Sequence, residues 1–309
     1  RRAQEERGTL NKSRSCGMMM KVLLVGGNGF VGRALLNQKP TRIIADPTYC
    51  HNPPSKNIDT WIQLDLLKIT DWSKTLNGYD AVLICARPKG ATLKQRDAIA
   101  KETKTALTAM MAGRLEMDNP PYVFALHGTL SYGDCGQEIV ENTQIYNPTG
   151  YATSYGIGEE PLRHEAEKGM IGIMRAPWIL GNGSWFNALY CSNEIPLFPG
   201  QPIWMAVVEV NDLATEIWHH IERKTTGIIH PQLLVRTTQE RFAIAVGHAR
   251  LTQPVRMKKW RMLRLYDKQT RQSVLASIRL ASGQGMDIEG DEAHRSLDGT
   301  LQSLFAGRS

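Results

Sequence analysis

The feature that most constrains this chain is a short apolar run, Val22-Leu23-Leu24-Val25. It enters Gly26-Gly27-Asn28-Gly29-Phe30-Val31-Gly32 and continues as Arg33-Ala34-Leu35-Leu36. An apolar strand, a glycine turn and an amphipathic helix in that order form a cradle for the pyrophosphate of a dinucleotide. Gly26 lets the chain leave the strand sharply, Gly29 lets the backbone approach phosphate oxygens, and Gly32 lets the helix lie close on the sheet. The first helical amides, at Phe30 and Val31, then direct the positive end of the helix dipole at the anion. Asp46 closes the next apolar run, 20 residues after Gly26. A carboxylate there would accept from the adenosine ribose and repel a 2′-phosphate, so the expected cofactor is NAD, with NADP not excluded because Arg33 and Arg42 lie near.

Further apolar runs follow at Ile43–Ala45, Trp61–Leu64, Ala81–Cys85, Val123–Leu126 and Ile171–Met174. Helical-length segments separate most of them: Phe30–Asn37, Leu93–Ala112, Ser154–Lys168 and Asn211–Arg223. Short buried strands alternating with helices predict an α/β, Rossmann-type doubly wound parallel sheet. Beyond Arg175 the alternation lapses into Gly- and Pro-punctuated sequence. The expected organisation is a basic tail over 1–20, a dinucleotide-binding domain over 21–175, and a smaller C-terminal substrate lobe over 176–309, with 205–232 returning part of its chain to the sheet.

Composition narrows the function classes. The 309 residues are 42% hydrophobic and 22% charged, as in a globular domain. No apolar run reaches the roughly 18 residues of a membrane span. The net charge of +7 suits anionic partners, but only Lys259-Trp260-Arg261 interleaves basic and aromatic residues, so nucleic acid is not the expected one. The 5 cysteines lack CxxC spacing, which argues against a zinc site and for a reducing compartment. A cytoplasmic setting is expected, with a mitochondrial or plastid matrix as the alternative because the tail is basic.

The spacing Gly26-x-x-Gly29-x-x-Gly32 resembles the extended short-chain dehydrogenase/reductase family, the NAD-dependent epimerase/dehydratase group that acts largely on nucleotide sugars. Several later segments are similar in the same order. Leu64-Asp65-Leu66 resembles the family's adenine-contacting Asp after the third strand. Ile84-Cys85-Ala86, followed by Arg87, falls where its fourth strand passes beneath the cofactor. Ser131-Tyr132-Gly133, Glu141-Asn142-Thr143, Met174-Arg175-Ala176-Pro177 and Val208-Glu209-Val210-Asn211-Asp212 resemble its later motifs. The resemblance covers about Lys21 to Arg223, with a closing helix expected at Ser296–Leu304. It implies cofactor contacts from Gly26, Gly29, Phe30, Val31, Gly32, Asp46, Asp65, Leu66, Cys85, Ala86 and Arg87.

The same resemblance implies a Tyr-x-x-x-Lys helix and a Ser or Thr from the fifth strand. The matching segment is Tyr151-Ala152-Thr153-Ser154-Tyr155-Gly156-Ile157-Gly158-Glu159. Taking Tyr151 as the phenol puts Tyr155 in place of lysine; taking Tyr155 puts Glu159 there. The distance onward to Arg175 suits Tyr151 better. Either way the lysine, which normally lowers the phenol's pKa and binds the nicotinamide ribose, is absent. The strand-five hydroxyl position falls on Gly128, leaving Thr129 as a neighbouring hydroxyl and His127 as an alternative acid/base.

Two readings follow. One is an oxidoreductase of the epimerase/dehydratase type with rearranged acid/base groups, acting on a small molecule such as a nucleotide sugar. In it the basic run Arg256, Lys258, Lys259, Arg261 and Arg264 either meets a diphosphate or is a solvated face. The other is a catalytically silent dinucleotide-binding scaffold, like the short-chain-dehydrogenase-like accessory subunit of respiratory complex I. A homodimer or a larger protein complex fits either.

Overall fold

The computed structural model describes residues 19–54, 61–87, 89–145, 147–200, 202–281 and 291–306. The expected tail falls outside the described residues up to Met18, and the first strand already begins at Met20.

The first half of the chain runs β1 (Met20–Val25), α1 (Phe30–Asn37), β2 (Ile43–Tyr49), β3 (Ile62–Gln63), α2 (Trp72–Leu76), β4 (Ala81–Ile84), α3 (Leu93–Leu115), β5 (Tyr122–Gly128), β6 (Glu138–Ile139), α4 (Ala152–Glu167) and β7 (Gly172–Ala176). It continues through β8 (Trp178–Leu180), α5 (Trp185–Tyr190), β9 (Ile195–Leu197), β10 (Trp204–Glu209), α6 (Val210–Arg223), β11 (Gly227–Ile229), β12 (Val235–Thr238) and α7 (Gln239–Arg250). The last elements are β13 (Pro254–Arg256), α8 (Lys259–Leu265), α9 (Lys268–Leu275), β14 (Arg279–Leu280) and α10 (Asp291–Ala306).

Seven strands form the central sheet in the order β11-β7-β5-β4-β1-β2-β3. Every pairing within it is parallel. The Rossmann-type α/β fold expected from the sequence is therefore present. The order reverses between β1 and β4, and the crevice beyond the carboxyl ends of these two strands is the switch point where such sheets take ligands.

Alternation along each strand sends side chains to two cores. Val22, Leu24, Leu83, Phe124 and Met174 meet α1 and α6 through Leu35, Leu213, Ile217 and Trp218. Leu23, Val25, Val82, Val123 and Ile173 meet α2, α3 and α4 through Leu76, Leu107, Met110 and Leu162. The C-terminal lobe has its own aromatic core of Phe186, Tyr190 and Phe242, closed by Leu297 and Leu301 of α10. There β10 pairs with β8 and β12, while β11 joins the edge of the central sheet. Among the described residues no helix is long and apolar enough to cross a membrane.

The stub helix α1, 8 residues long, is tied down from outside. Trp218 of α6 is fully buried, and its indole Nε1 donates to the Leu35 carbonyl at 2.9 Å. Trp218→Ala is expected to destabilise the chain by about 3–5 kcal/mol through the cavity it leaves. Trp218→Phe, which keeps most of the volume, should cost clearly less. Chemical denaturation of both variants checks this, and equal losses would mean that packing volume is not what joins α6 to α1.

Candidate functional site

The turn after β1 is built by close approach of backbone. Gly26 has φ +94°, and a Cβ there would lie 2.6 Å from the Ala86 nitrogen. Its own amide donates to Thr48 Oγ1 at 3.0 Å. A Cβ at Gly32 would collide with the carbonyls of Gly26 and Gly27. At Gly29 a Cβ would meet only the Gly26 carbonyl, at 3.1 Å, so this residue's outer face is open. Gly29 is the N-cap of α1. Among the described residues no side chain caps the helix and no acidic residue stands in its first turn, which leaves the amides of Phe30, Val31 and Gly32 without a side-chain partner. Three bare residues and an uncapped helix start fit a pyrophosphate.

Asp46 lies inside the second strand rather than at its end. Pro47 does not end the strand. It pairs with Leu24, and β2 runs on to Tyr49. The missing Pro47 amide is tolerated because β3 pairs only with Thr48 and Tyr49. Asp46 therefore lies level with Leu23, three residues below the glycine turn by register. Its Oδ2 accepts from the Tyr79 phenol at 2.9 Å and sits 3.3 Å from Lys21 Nζ. The end of β2 beside the turn carries Thr48, Tyr49 and then Cys50 instead of a carboxylate.

Asp65 follows β3 and caps the turn at Leu66–Lys68, accepting from the Leu67 amide at 3.1 Å, while Leu66 is buried. Beyond β4, the Cys85 thiol donates to the Val25 carbonyl at 3.3 Å, and burial pushes it up to about 12, so it is not a nucleophile. Ala86 is the residue that packs on Gly26. Arg87 places its guanidinium 4.0 Å from the Tyr155 ring centre and has no ion-pair partner among the described residues.

The two tyrosines stand one turn apart at the start of α4, their rings stacked at 6.2 Å and 20°. The Tyr151 hydroxyl lies 2.7 Å from Thr270 Oγ1 of α9, and its ring carries Arg96 at 5.2 Å. Tyr155 instead lines a cavity of about 50 Å³ together with Arg87, Arg96, His127 and Glu159.

Glu159 is the electrostatic hub. Its Oε2 lies 3.0 Å from His127 Nδ1, 3.5 Å from Arg175 Nη1 and accepts from Ser131 Oγ at 3.1 Å. Burial works to raise this carboxyl, but His127, Arg175 and Arg87 outweigh burial and hold it at about 2. Arg175, almost fully enclosed, also donates to the Gly128 carbonyl at 3.3 Å and fixes the end of β5. Thr129 is buried in the turn that follows. Thus His127, Tyr155 and Glu159 converge on one cavity, Tyr151 faces the C-terminal lobe, and the strand-five hydroxyl position is the bare Gly128. Arg96 and Thr270 escaped the sequence reading because their partner Tyr151 is remote in the chain. Arg87 was legible as a neighbour of the cofactor path, but not as the cation on Tyr155.

These features define a dinucleotide-binding protein of the doubly wound α/β type. The model of the NAD dependent epimerase/dehydratase family matches residues 22–188, more than half of the chain, and the chain belongs to that family. No curated protein matches it by sequence. Among solved structures it is similar to the human epimerase family protein SDR39U1 (isoform 2) with NADPH, at 14% identity over 94% of this chain and 100% of that one, with a TM-score of 0.68. UDP-glucuronic acid 4-epimerase from Bacillus cereus, in complex with UDP-glucuronic acid and NAD, aligns at 15% identity over 93% and 98% of the two chains, also with a TM-score of 0.68. UDP-N-acetylglucosamine 4-epimerase from Methanobrevibacter ruminantium, in complex with UDP-N-acetylmuramic acid, aligns at 14% over 94% and 99%, with a TM-score of 0.66.

The Glu159 cluster gives a pH prediction. A carboxyl depressed from 4.5 to about 2 contributes stability above pH 4.5 that is lost as pH falls toward 2. Glu159→Gln should weaken the protein at neutral pH by about 3–5 kcal/mol, since it leaves Arg175 buried without its carboxylate. It should also flatten the acid limb of the stability curve between those values. An unchanged acid limb would show that Glu159 is not held by this cluster.

Proposed function

We propose that the chain binds NAD or NADP across the switch point and uses it for oxidoreductase chemistry on a small molecule of the nucleotide-sugar kind. The observation that carries this reading is the open face of Gly29 in front of an uncapped helix start. The neighbouring structures bound to NADPH, NAD and UDP-sugars support it by analogy of fold. The dinucleotide, when bound, supplies hydride transfer at its nicotinamide.

The chain's own residues then have the following parts. Gly26, Gly29 and the amides of Phe30, Val31 and Gly32 hold the pyrophosphate. Asp65 and Leu66 border the adenine, and Ala86 and Arg87 border the nicotinamide half. Tyr151 is the phenol that exchanges a proton with substrate, a role supported by its position at the start of α4, one turn before Tyr155. Tyr155 occupies the lysine's place in the chain, yet the guanidinium of Arg87 on its ring keeps a fixed positive charge one turn from Tyr151. His127 and Thr129 are positioning residues of the β5 end. No carboxylate at the end of β2 repels a 2′-phosphate, so NAD and NADP are accepted with affinities within about tenfold of each other.

A second reading has its own support. With no lysine on α4 and the Tyr151 hydroxyl engaged by Thr270, a silent dinucleotide-binding scaffold or subunit of a larger complex also fits.

Calorimetry and turnover separate these outcomes. Gly29→Val should leave the fold intact and abolish dinucleotide binding, because its methyls fill the open face. Gly26→Ala should destabilise the fold itself, given φ +94° and the contact with Ala86. With UDP-sugars as probes, the oxidoreductase reading expects reduced nicotinamide to form or disappear, and Arg87→Ala to lower turnover by roughly 10²-fold. Tight dinucleotide binding with neither a redox change nor epimerisation or dehydration of any probe sugar selects the scaffold. Binding unaffected by Gly29→Val contradicts both.

A further inference from the structure

Between Leu251 and Leu265 the chain carries five basic residues and no acidic one. The structure brings the stretch to the outside of the C-terminal lobe. Met257 and Met262 are buried and anchor it, and the Met257 amide donates to the Leu197 carbonyl at 2.8 Å. At 100° per residue, the line of α8 opposite Met262 falls on Trp260 and Arg264, flanked by Leu263 and Arg261. Trp260 is 61% exposed, and Leu263 and Leu265 are each 54% exposed. The preceding strand β13 adds exposed Val255 and Arg256. Of the five cations, Arg261 pairs with Glu194 at 2.5 Å. Among the described residues no carboxylate pairs with Arg256, Lys258, Lys259 or Arg264.

An exposed cluster of apolar side chains rimmed by cations marks an interaction surface. We propose that this ridge docks on an anionic lipid bilayer, with Trp260 and Leu263 entering the headgroup boundary and Arg256, Lys258, Lys259 and Arg264 meeting lipid phosphates and carboxylates. Charge complementarity and the indole argue for this occupant, since Trp sits by preference at the water–lipid boundary and basic neighbours bind anionic headgroups. Leucine and valine offer no face on which a nucleic-acid base stacks, and one aromatic residue is a poor platform for a strand. The ridge is the outermost line of a helix, so it meets a surface rather than enclosing a peptide. This attachment is independent of the dinucleotide site and holds whether or not the chain turns over a substrate.

The test is sedimentation of the full chain with vesicles of phosphatidylcholine alone and of equimolar phosphatidylcholine and phosphatidylserine. Binding is expected only to the anionic vesicles, weakening as salt is raised. Each neutralised cation should lower the partition coefficient roughly fivefold, so the double variant Lys258→Glu, Lys259→Glu should lose roughly 25-fold or more. Leu263→Ser should weaken binding with no change in its salt dependence. Lys101→Glu, an exposed charge on α3, should have little effect, which separates the ridge from net charge. All these positions are exposed, and an unchanged circular dichroism spectrum and thermal midpoint verify that each variant is folded. Equal binding to both vesicles, no binding to either, insensitivity to the double substitution, or capture of single-stranded RNA without capture of vesicles would each overturn the proposal.

Discussion

Everything in this molecule depends on how closely two pieces of bare backbone approach at the centre of the sheet. Gly26 lies against Ala86 at the ends of β1 and β4, and Gly32 lies against the carbonyls of the same turn. That contact brings the start of α1 to the switch point with its amides facing outward. It also sets the spacing of β1 and β4, and through them the positions of Arg87 and the β5 end. A side chain at either glycine would push α1 off the sheet and leave the crevice without its anion-binding floor.

On the other side of the crevice the organising force is electrostatic. Glu159 is buried with His127 and Arg175 around it, and Arg175 reaches on to the Gly128 carbonyl. Buried charges of this kind persist only when each has partners. The cluster therefore fixes α4 against β5 and β7 and, with them, the stacked pair Tyr151 and Tyr155. The family's lysine is missing from this frame, but positive charge is not: Arg87 and Arg96 approach the two rings from β4 and α3.

Much of the fold was legible in the sequence, because period and punctuation act locally. The span of α1, Phe30–Asn37, follows from the glycine turn before it and Pro40 after it. The closing helix expected at Ser296–Leu304 lies within α10. The apolar run Ile43–Ala45 marks only the first part of the second strand, because Pro47 lies within it rather than ending it. Only the order of its neighbours shows that its amide has no ladder partner to lose, and the longer strand sets Asp46 level with Leu23 and beside Lys21. Glu159 and Arg175 each stood in a recognisable motif, yet nothing in either motif says that they meet. Tyr151 and Thr270 are separated by 119 residues, and a contact at that range has no local signature. The short strands of the C-terminal lobe were less legible for a related reason, since β8, β9, β12 and β13 are 3 or 4 residues long, too short for a period to establish itself.

The central claim is that the exposed amides at the start of α1 hold the anionic linker of a dinucleotide. An amide NMR titration of the isotope-labelled protein with NAD and with NADP tests it most directly. The account predicts saturable shifts of the Gly29, Phe30, Val31 and Gly32 resonances, with those at the start of α6, whose N-cap Glu209 already accepts from Asn211 and Asp212, unmoved. Saturable binding that leaves the α1 amides unperturbed, or no binding of either nucleotide, would contradict it.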